Sequence, residues 1–229
     1  MKRRETRPPT SQGSTDDAPP APDIPVLSRH EERGVSFERI VFFSDAVFAI
    51  AITLLIIAVR PPRLATEAID EELIHHLLGL GHELLGYVIG FSIIGTYWVA
   101  HHSLFDYIQD YDRTLIWLNM LFLLFIAFSP LPTAIVAEYE FSRLAQLFFA
   151  LSVVATGVIK VLLWLYASHH HRLIPATMTD QEIRRVTWRA ALTPLVFVLS
   201  IPLIFVLPTF SIIIWAAIPL LHVLIGRRI

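Results

Sequence analysis

From residue 38 onward the sequence is dominated by apolar runs that are each long enough to cross a lipid bilayer. A helix that spans the hydrocarbon layer needs about 20 residues, and six runs of about this length follow one another. They cover residues 38–59, 84–105, 114–136, 142–167, 187–206 and 209–226. Only 17% of the chain is charged, against about 25% in soluble domains. The sequence therefore predicts an all-α membrane protein with six transmembrane helices.

The first 37 residues have a different composition. Prolines alternate there with Ser, Thr, Asp and Arg, and apolar residues are too sparse to form a core. We expect residues 1–37 to be a disordered, Pro-rich tail and residues 38–229 to form the membrane domain. The tail lacks the apolar core and cleavage site of a signal peptide, so the first span is expected to act as an uncleaved insertion signal.

The distribution of Lys and Arg predicts the orientation of the spans. With six spans both termini lie on one side, which then carries 14 of these residues against 3 on the other. Basic residues accumulate on the cytoplasmic side of membrane proteins. Both termini are therefore expected to be cytoplasmic, in a multi-pass protein of the cell membrane whose surroundings are the lipid bilayer.

The sequence contains none of the common enzyme or cofactor motifs. It lacks Cys, a Gly-rich phosphate loop, a G-x-S-x-G nucleophile motif and an H-E-x-x-H zinc motif. The tract 169–171 is three consecutive His residues, which point in different directions on a helix, and His75, His76 and His82 flank an amphipathic stretch. We expect no enzyme activity, no metal site, no cofactor and no nucleic-acid partner.

A few polar side chains lie inside the predicted spans, where they are costly and often functional. Asp45 follows Ser44 in the first span, Trp98 and His101 share a face of the second, and Asn119, the only Asn of the chain, lies in the third. The topology puts Asp45, His101 and Asn119 at similar depth. They are expected to form a hydrogen-bonded node between helices, or alternatively a proton relay or ion site.

One face of the first span is apolar except for a single hydroxyl. At 100° per residue, Ile50, Thr53, Leu54 and Ile57 lie on one side of a helix. Asp45 lies about 140° from Ile50, so the carboxylate projects from another face, toward the rest of the protein. The helix therefore has a polar attachment on one side and an apolar stripe on the other.

The polar residues also match a family pattern. The run Arg39-Ile40-Val41-Phe42-Phe43-Ser44-Asp45 resembles the first-helix signature of the transmembrane protein 175 family of potassium channels. Trp98-Val99-Ala100-His101 resembles the Trp-x-x-His motif of that family, with spacing that favours His101 over His102. Leu118-Asn119 and Phe128-Ser129-Pro130 are similar to its Leu-Asn and Phe-x-Pro patterns. The resemblance covers residues 40–140, and beyond them only the number of spans agrees.

The resemblance implies a potassium-permeable channel without a carbonyl filter loop, in which the first helix lines a central pore. One six-span repeat resembles the prokaryotic form, expected to be a homotetramer that passes monovalent cations, with K⁺ as the permeant ion. By position, Ile50 would form the narrowest ring, with Leu54 and Ile57 beyond it and Thr53 offering hydroxyls. A supporting network would comprise Arg39, Ser44, Asp45, Trp98, His101 and Asn119.

The chemistry of the residues leaves other functions open. A proton-coupled transporter that uses Asp45 and His101 is the main alternative, because both side chains can exchange protons inside a membrane. A membrane-embedded enzyme or metal protein built on the His clusters is a third possibility.

Overall fold

The computed structural model describes residues 29–59 and 69–226, which form a bundle of helices. The helices are α1 (Arg29–Leu54), α2 (Ile69–Gly79), α3 (Gly81–Phe105), α4 (Arg113–Phe128), α5 (Pro130–Glu138), α6 (Arg143–Ser168), α7 (Asp180–Val206) and α8 (Pro208–Gly226). Short 3₁₀ turns follow α1 at Leu55–Ala58 and α6 at His169–His171.

Five stretches of the described residues are long and apolar enough to cross a membrane. They are Phe37–Ile57, Leu73–Phe105, Arg113–Glu138, Arg143–His171 and Asp180–Val206. A shorter apolar stretch, Pro208–Ile218, lies where the sequence predicts the sixth span. The all-helical class and the order of the apolar helices agree with the expectation from the sequence.

Two helix starts differ from the predicted boundaries. The first helix begins at Arg29, so the predicted tail 1–37 is too long at its C-terminal end, and its residues 1–28 lie outside the described part of the chain. The last proline before α1 is Pro25, which leaves residues 29–37 free to continue the helix. Helix α7 begins at Asp180 rather than 187, because Thr179 and Glu182 form a reciprocal capping box.

The third predicted span, 114–136, corresponds to the apolar stretch Arg113–Glu138, which is divided into two helices. Helix α4 ends at Phe128 and α5 begins at Pro130. Proline has no N–H to donate to the preceding turn, and the Ser129 hydroxyl donates instead to the Ile126 carbonyl at 2.6 Å. The break therefore lies inside the Phe-x-Pro motif.

Helices α7 and α8 form a hairpin, with the break between them at Leu207. Trp215 in α8 donates from its indole N–H to the Ser200 hydroxyl in α7 at 2.9 Å. The same indole stacks on Phe197 with ring centroids 5.2 Å apart. Because these residues are nearly equidistant from the break at Leu207, the two helices run antiparallel.

Two pairs of helices approach closely where a glycine of one helix lies against a side chain of the other. A Cβ on Gly90 of α3 would lie 2.5 Å from the Thr133 methyl of α5, and one on Gly157 of α6 would lie 2.7 Å from the Pro194 ring of α7. By contrast, a Cβ on Gly95 meets no atom within 4 Å. The glycines of α3 are thus not equivalent.

The connectors α3–α4 and α6–α7 are bonded to each other at one end of the bundle. The backbone N–H of Gln109 donates to the Leu173 carbonyl at 2.9 Å. Arg172 pairs with Asp112 at 3.2 Å, and the Tyr166 hydroxyl donates to the same carboxylate at 2.6 Å. These connectors therefore share one side of the protein, here called the basic end, as an even number of intervening spans requires.

Candidate functional site

Helix α1 has two opposite faces with different environments. Ser44, Phe48, Ala51 and Leu55 are buried against the rest of the chain. Their spacing of four, three and four residues keeps them on one side of an α-helix. These residues pack on α3, α4 and α5. The chain therefore holds α1 through one face only.

The opposite face of α1 is exposed and largely apolar. Ile50 is 59% exposed, and Thr53, Leu54 and Ile57 are exposed with it. The Thr53 hydroxyl donates to the Ile50 carbonyl at 2.9 Å, so the lone pairs of its oxygen remain available to an outside ligand. The stripe that periodicity predicts is thus left uncovered by its own chain. We call these four residues the exposed stripe.

Ser44, Asn119 and His101 form a buried hydrogen-bonded triad that joins three helices. The Asn119 amide donates to the Ser44 hydroxyl at 2.9 Å, and the Ser44 hydroxyl donates to the Ile40 carbonyl at 2.9 Å. The Asn119 side-chain oxygen lies 2.9 Å from His101 Nε2. Because the amide nitrogen is committed to Ser44, this oxygen accepts and His101 carries its proton on Nε2.

Aromatic rings enclose the triad. The His101 imidazole stacks on Phe122 at 5.4 Å with an interplanar angle of 4°, and on Phe105 at 4.3 Å. Phe48 of α1 lies 5.6 Å from the imidazole and 5.9 Å from Phe122. These contacts exclude water from the triad, which makes its hydrogen bonds costly to lose.

Asp45 has a separate partner. The Trp98 indole N–H donates to an Asp45 carboxylate oxygen at 2.9 Å. Trp98 also stacks on His102 at 5.8 Å, so His102 belongs to this more exposed group and His101 to the buried triad. The two neighbouring histidines thus have different environments, as expected for consecutive residues of a helix.

Arg39 is the one member of the predicted network that the structure does not bring into it. Its side chain is exposed. On a helix Arg39 lies within about 20° of Ile50 and about 140° from Ser44. The resemblance grouped it with the network by motif, whereas helical geometry puts it on the side of the exposed stripe.

Several buried polar contacts were not anticipated from the sequence. Lys160 of α6 is buried, and its ammonium lies 4.9 Å from the Tyr97 ring centroid. The Tyr97 hydroxyl donates to the Val153 carbonyl at 2.7 Å. The Trp164 indole donates to the Thr187 hydroxyl at 3.0 Å and links α6 to α7. Isolated polar residues in apolar runs are the signal that predicts such contacts.

The histidine tract does not gather metal ligands. His171 lies 2.9 Å from the Met178 carbonyl through Nε2, and the rings of His169 and His170 contact each other. Within residues 29–59 and 69–226, no three His, Cys, Asp or Glu side chains come together in a way that could hold a metal ion.

At the basic end, the neighbours of Asp112 shift the pKa of its carboxyl. Partial burial raises the pKa of its carboxyl, but hydrogen bonds from the Tyr166 hydroxyl and the Leu115 N–H, together with the Arg172 charge, outweigh burial. They hold the pKa of Asp112 below its usual value. The ionised carboxylate therefore caps α4 and ties two connectors together.

Comparison with known proteins identifies a family. The family model described as "Endosomal/lysosomal potassium channel TMEM175" matches residues 39–130. A potassium channel of Streptomyces collinus is 36% identical over 173 aligned positions, and the match covers 73% of this chain and 82% of that protein. The human endosomal/lysosomal proton channel TMEM175 is 28% identical over 171 residues, but the match covers only 32% of its length.

A solved structure has the same fold. The crystal structure of a lysosomal potassium-selective channel TMEM175 homolog from Chamaesiphon minutus superposes with a TM-score of 0.72 at 27% identity. The match covers 83% of this chain and 97% of that one. A family signature, a bacterial relative matched over most of its length and a shared fold lead to one conclusion: the chain belongs to the TMEM175 family of cation channels, in its prokaryotic single-repeat form.

Proposed function

We propose that this protein is a potassium-permeable cation channel of the cell membrane, formed by four identical chains around a central pore. The observation that carries the proposal is the exposed stripe of α1, which is uncovered in its own chain although α1 is held firmly through the opposite face. In a ring of chains this stripe becomes the pore wall. The bacterial relatives named as potassium channels support the choice of ion.

Ile50 is assigned as the constriction, with Leu54 and Ile57 continuing the apolar wall. A narrow ring of branched aliphatic side chains expels water and so blocks ions, because an ion that crosses it must lose its hydration shell. Such a ring gates the pore without any movement of a separate lid. No T-V-G-Y-G filter sequence occurs in the chain, and we assign ion selectivity to α1.

Thr53 is assigned as the ion-contacting hydroxyl. Its proton is donated to the Ile50 carbonyl, so the oxygen presents lone pairs to the exposed side. Four such oxygens in one layer would replace part of the hydration shell of a monovalent cation. Thr53 lies one turn from Ile50. The hydroxyl oxygens that would replace water around the ion are therefore next to the ring at which the ion loses its water.

The Ser44–Asn119–His101 triad and the Asp45–Trp98 bond are assigned a supporting role. Both lie away from the exposed stripe and join α1 to α3 and α4. Their function is to fix the rotation of α1 about its axis, on which the direction of Ile50 depends. A rotation of 100° would replace each stripe residue by its neighbour in sequence.

The test replaces the proposed constriction by a polar residue of similar size. Ile50→Asn should hydrate the ring and raise K⁺ flux into liposomes, about tenfold for each 1.4 kcal/mol removed from the barrier. The matched control is Ile213→Asn in α8, since Ile213 is 58% exposed and Ile50 59%, and its flux should stay at the wild-type level. Unchanged flux in correctly assembled Ile50→Asn protein would refute the assignment.

The alternative, a proton-coupled transporter, is distinguished by the same preparation. Asp45 and His101 have separate partners, Trp98 and Asn119, which does not favour a proton shared between them. A channel should pass K⁺ without saturation or exchange kinetics and only as an oligomer. Saturable transport driven by a pH gradient, abolished by Asp45→Asn, would support the transporter instead.

A further inference from the structure

The outer surfaces of α4 and α7 carry the same four-residue pattern. In α4, Arg113 is followed by Trp117, Leu124 and Phe128, at intervals of 4, 11 and 15 residues. In α7, Arg184 is followed at the same intervals by Trp188, Leu195 and Leu199. All eight side chains are exposed, and the two indoles are the most uncovered tryptophans described, at 68% and 69%.

The spacing arranges each pattern as one stripe perpendicular to the membrane. Intervals of 4, 11 and 15 residues keep the four side chains within about 60° of one another on a helix. At a rise of about 1.5 Å per residue, the indole lies about 6 Å below the arginine and the first Leu about 10 Å below the indole. From the helix start inward the order is therefore cation, aromatic ring, aliphatic chain.

Both stripes start at the same end of the protein. Arg113 begins α4, and Arg184 lies in the first turns of α7. The two connectors that precede them are bonded together through Leu173 and Asp112. Arg172 forms an ion pair with Asp112. By contrast, neither Arg113 nor Arg184 forms an ion pair with another side chain that the structure describes. At this end of the protein, each exposed cation thus lies about one helical turn above an exposed indole.

This order of chemistry matches a phospholipid. A headgroup phosphate accepts hydrogen bonds from a guanidinium, indoles are most stable at the glycerol level of the interface, and acyl chains contact aliphatic side chains. In α7, Arg185 next to Arg184 adds a second positive charge, which penalises the cationic amine of a zwitterionic headgroup and favours an anionic one.

We propose that the Arg113–Trp117 and Arg184–Trp188 stripes are binding sites for anionic phospholipids in the leaflet at the basic end. Each site takes the phosphate on its arginine, the glycerol region on its indole and one acyl chain along the residues below. The occupant is a bilayer lipid rather than a free anion, because the lower half of each stripe offers nothing to a soluble phosphate. The proposal does not depend on the pore assignment, since its readout is lipid binding and not flux.

The experiment measures thermal stability of the purified full chain in detergent after addition of phosphatidylglycerol or phosphatidylcholine with matched acyl chains. The wild type should be stabilised by phosphatidylglycerol at lower concentrations than by phosphatidylcholine. Each arginine removed should lower this preference about fivefold, so Arg113→Gln with Arg184→Gln should nearly abolish it. Arg143→Gln is the matched control, because Arg143 is an exposed arginine that begins α6 at the opposite end.

Three results would overturn the proposal: a double variant that keeps the wild-type preference, an Arg143→Gln variant that loses it equally, or stabilisation by soluble glycerol phosphate at the same concentration. A second measurement needs no substitution. In liposomes, phosphatidylglycerol brominated on its acyl chains should quench tryptophan emission more strongly than brominated phosphatidylcholine at equal mole fraction. Equal quenching by the two lipids would also refute the preference.

Discussion

The buried triad offers the sharpest test of how α1 is held. Asn119→Ala removes both hydrogen bonds of the amide in one substitution. Ser44 retains its bond to the Ile40 carbonyl, but His101 loses the acceptor for its Nε2 proton and has only aromatic rings around it. The substitution thus leaves one orphaned donor rather than two.

The size of the effect can be worked out from these contacts. A buried donor without a partner costs about 1–3 kcal/mol, and an interhelical hydrogen bond inside a membrane contributes about 0.6 kcal/mol on average. The expected loss of stability for Asn119→Ala is therefore about 2–4 kcal/mol. Ser44→Ala should cost about 1–3 kcal/mol, because it leaves the buried Asn119 amide N–H without its acceptor.

The assay combines stability, assembly and ion preference on one preparation. Thermal unfolding in detergent should show the loss, and size exclusion with light scattering should show fewer assembled particles for Asn119→Ala. A double-mutant cycle with Ser44→Ala should return a coupling near 0.6 kcal/mol. The K⁺ to Na⁺ flux ratio of the particles that do assemble should stay at the wild-type value.

Two outcomes would refute this reasoning. A stability loss below about 0.5 kcal/mol, the usual effect of a surface substitution, would mean that the triad does not stabilise the attachment of α1. Intact assembly with an altered flux ratio would mean that Asn119 acts on the ion rather than on the helix.

Two further predictions concern packing and pH. Gly90→Ala should destabilise the protein by about 1–3 kcal/mol, because its new methyl overlaps α5. Gly95→Ala, with open space around it, should be neutral or stabilising by up to about 1 kcal/mol in the same thermal assay. The lowered pKa of Asp112 contributes stability that is present above the ordinary aspartate pKa of about 3.9 and is lost as pH falls through the lower folded value. Unfolding measured from pH 7 down to 3 should therefore show the wild type losing its advantage over Asp112→Asn, and parallel curves would contradict the assignment.

Periodicity was enough to predict which apolar face of α1 the structure leaves exposed. Ile50, Thr53, Leu54 and Ile57 follow from counting residues at 100° each, and all four are exposed in the structure. The direction of a side chain on its own helix needs no knowledge of the neighbours. Counting residues in the same way places Arg39 on the side of Ile50 and not on the side of Ser44.

The periodicity of the sequence could not predict which side chains of different helices contact each other. The sequence indicated that Asp45, His101 and Asn119 lie at one depth, but not that Asp45 takes Trp98 while Asn119 bridges Ser44 and His101. Partner choice depends on the rotation and distance of whole helices. The break at Ser129 was missed for a related reason, since hydropathy does not register a lost backbone hydrogen bond.

The one-sided attachment of α1 has a consequence for how the protein assembles. Lipid tails are as apolar as Ile50 or Leu54, so bringing the exposed stripes of several chains together around the proposed pore gains almost nothing from the hydrophobic effect. Association must come instead from the fit of side-chain shapes, and it then follows mass action in two dimensions. We expect the assembled fraction to rise with the number of chains per unit of membrane area, and to respond to the volume of stripe residues more than to their polarity.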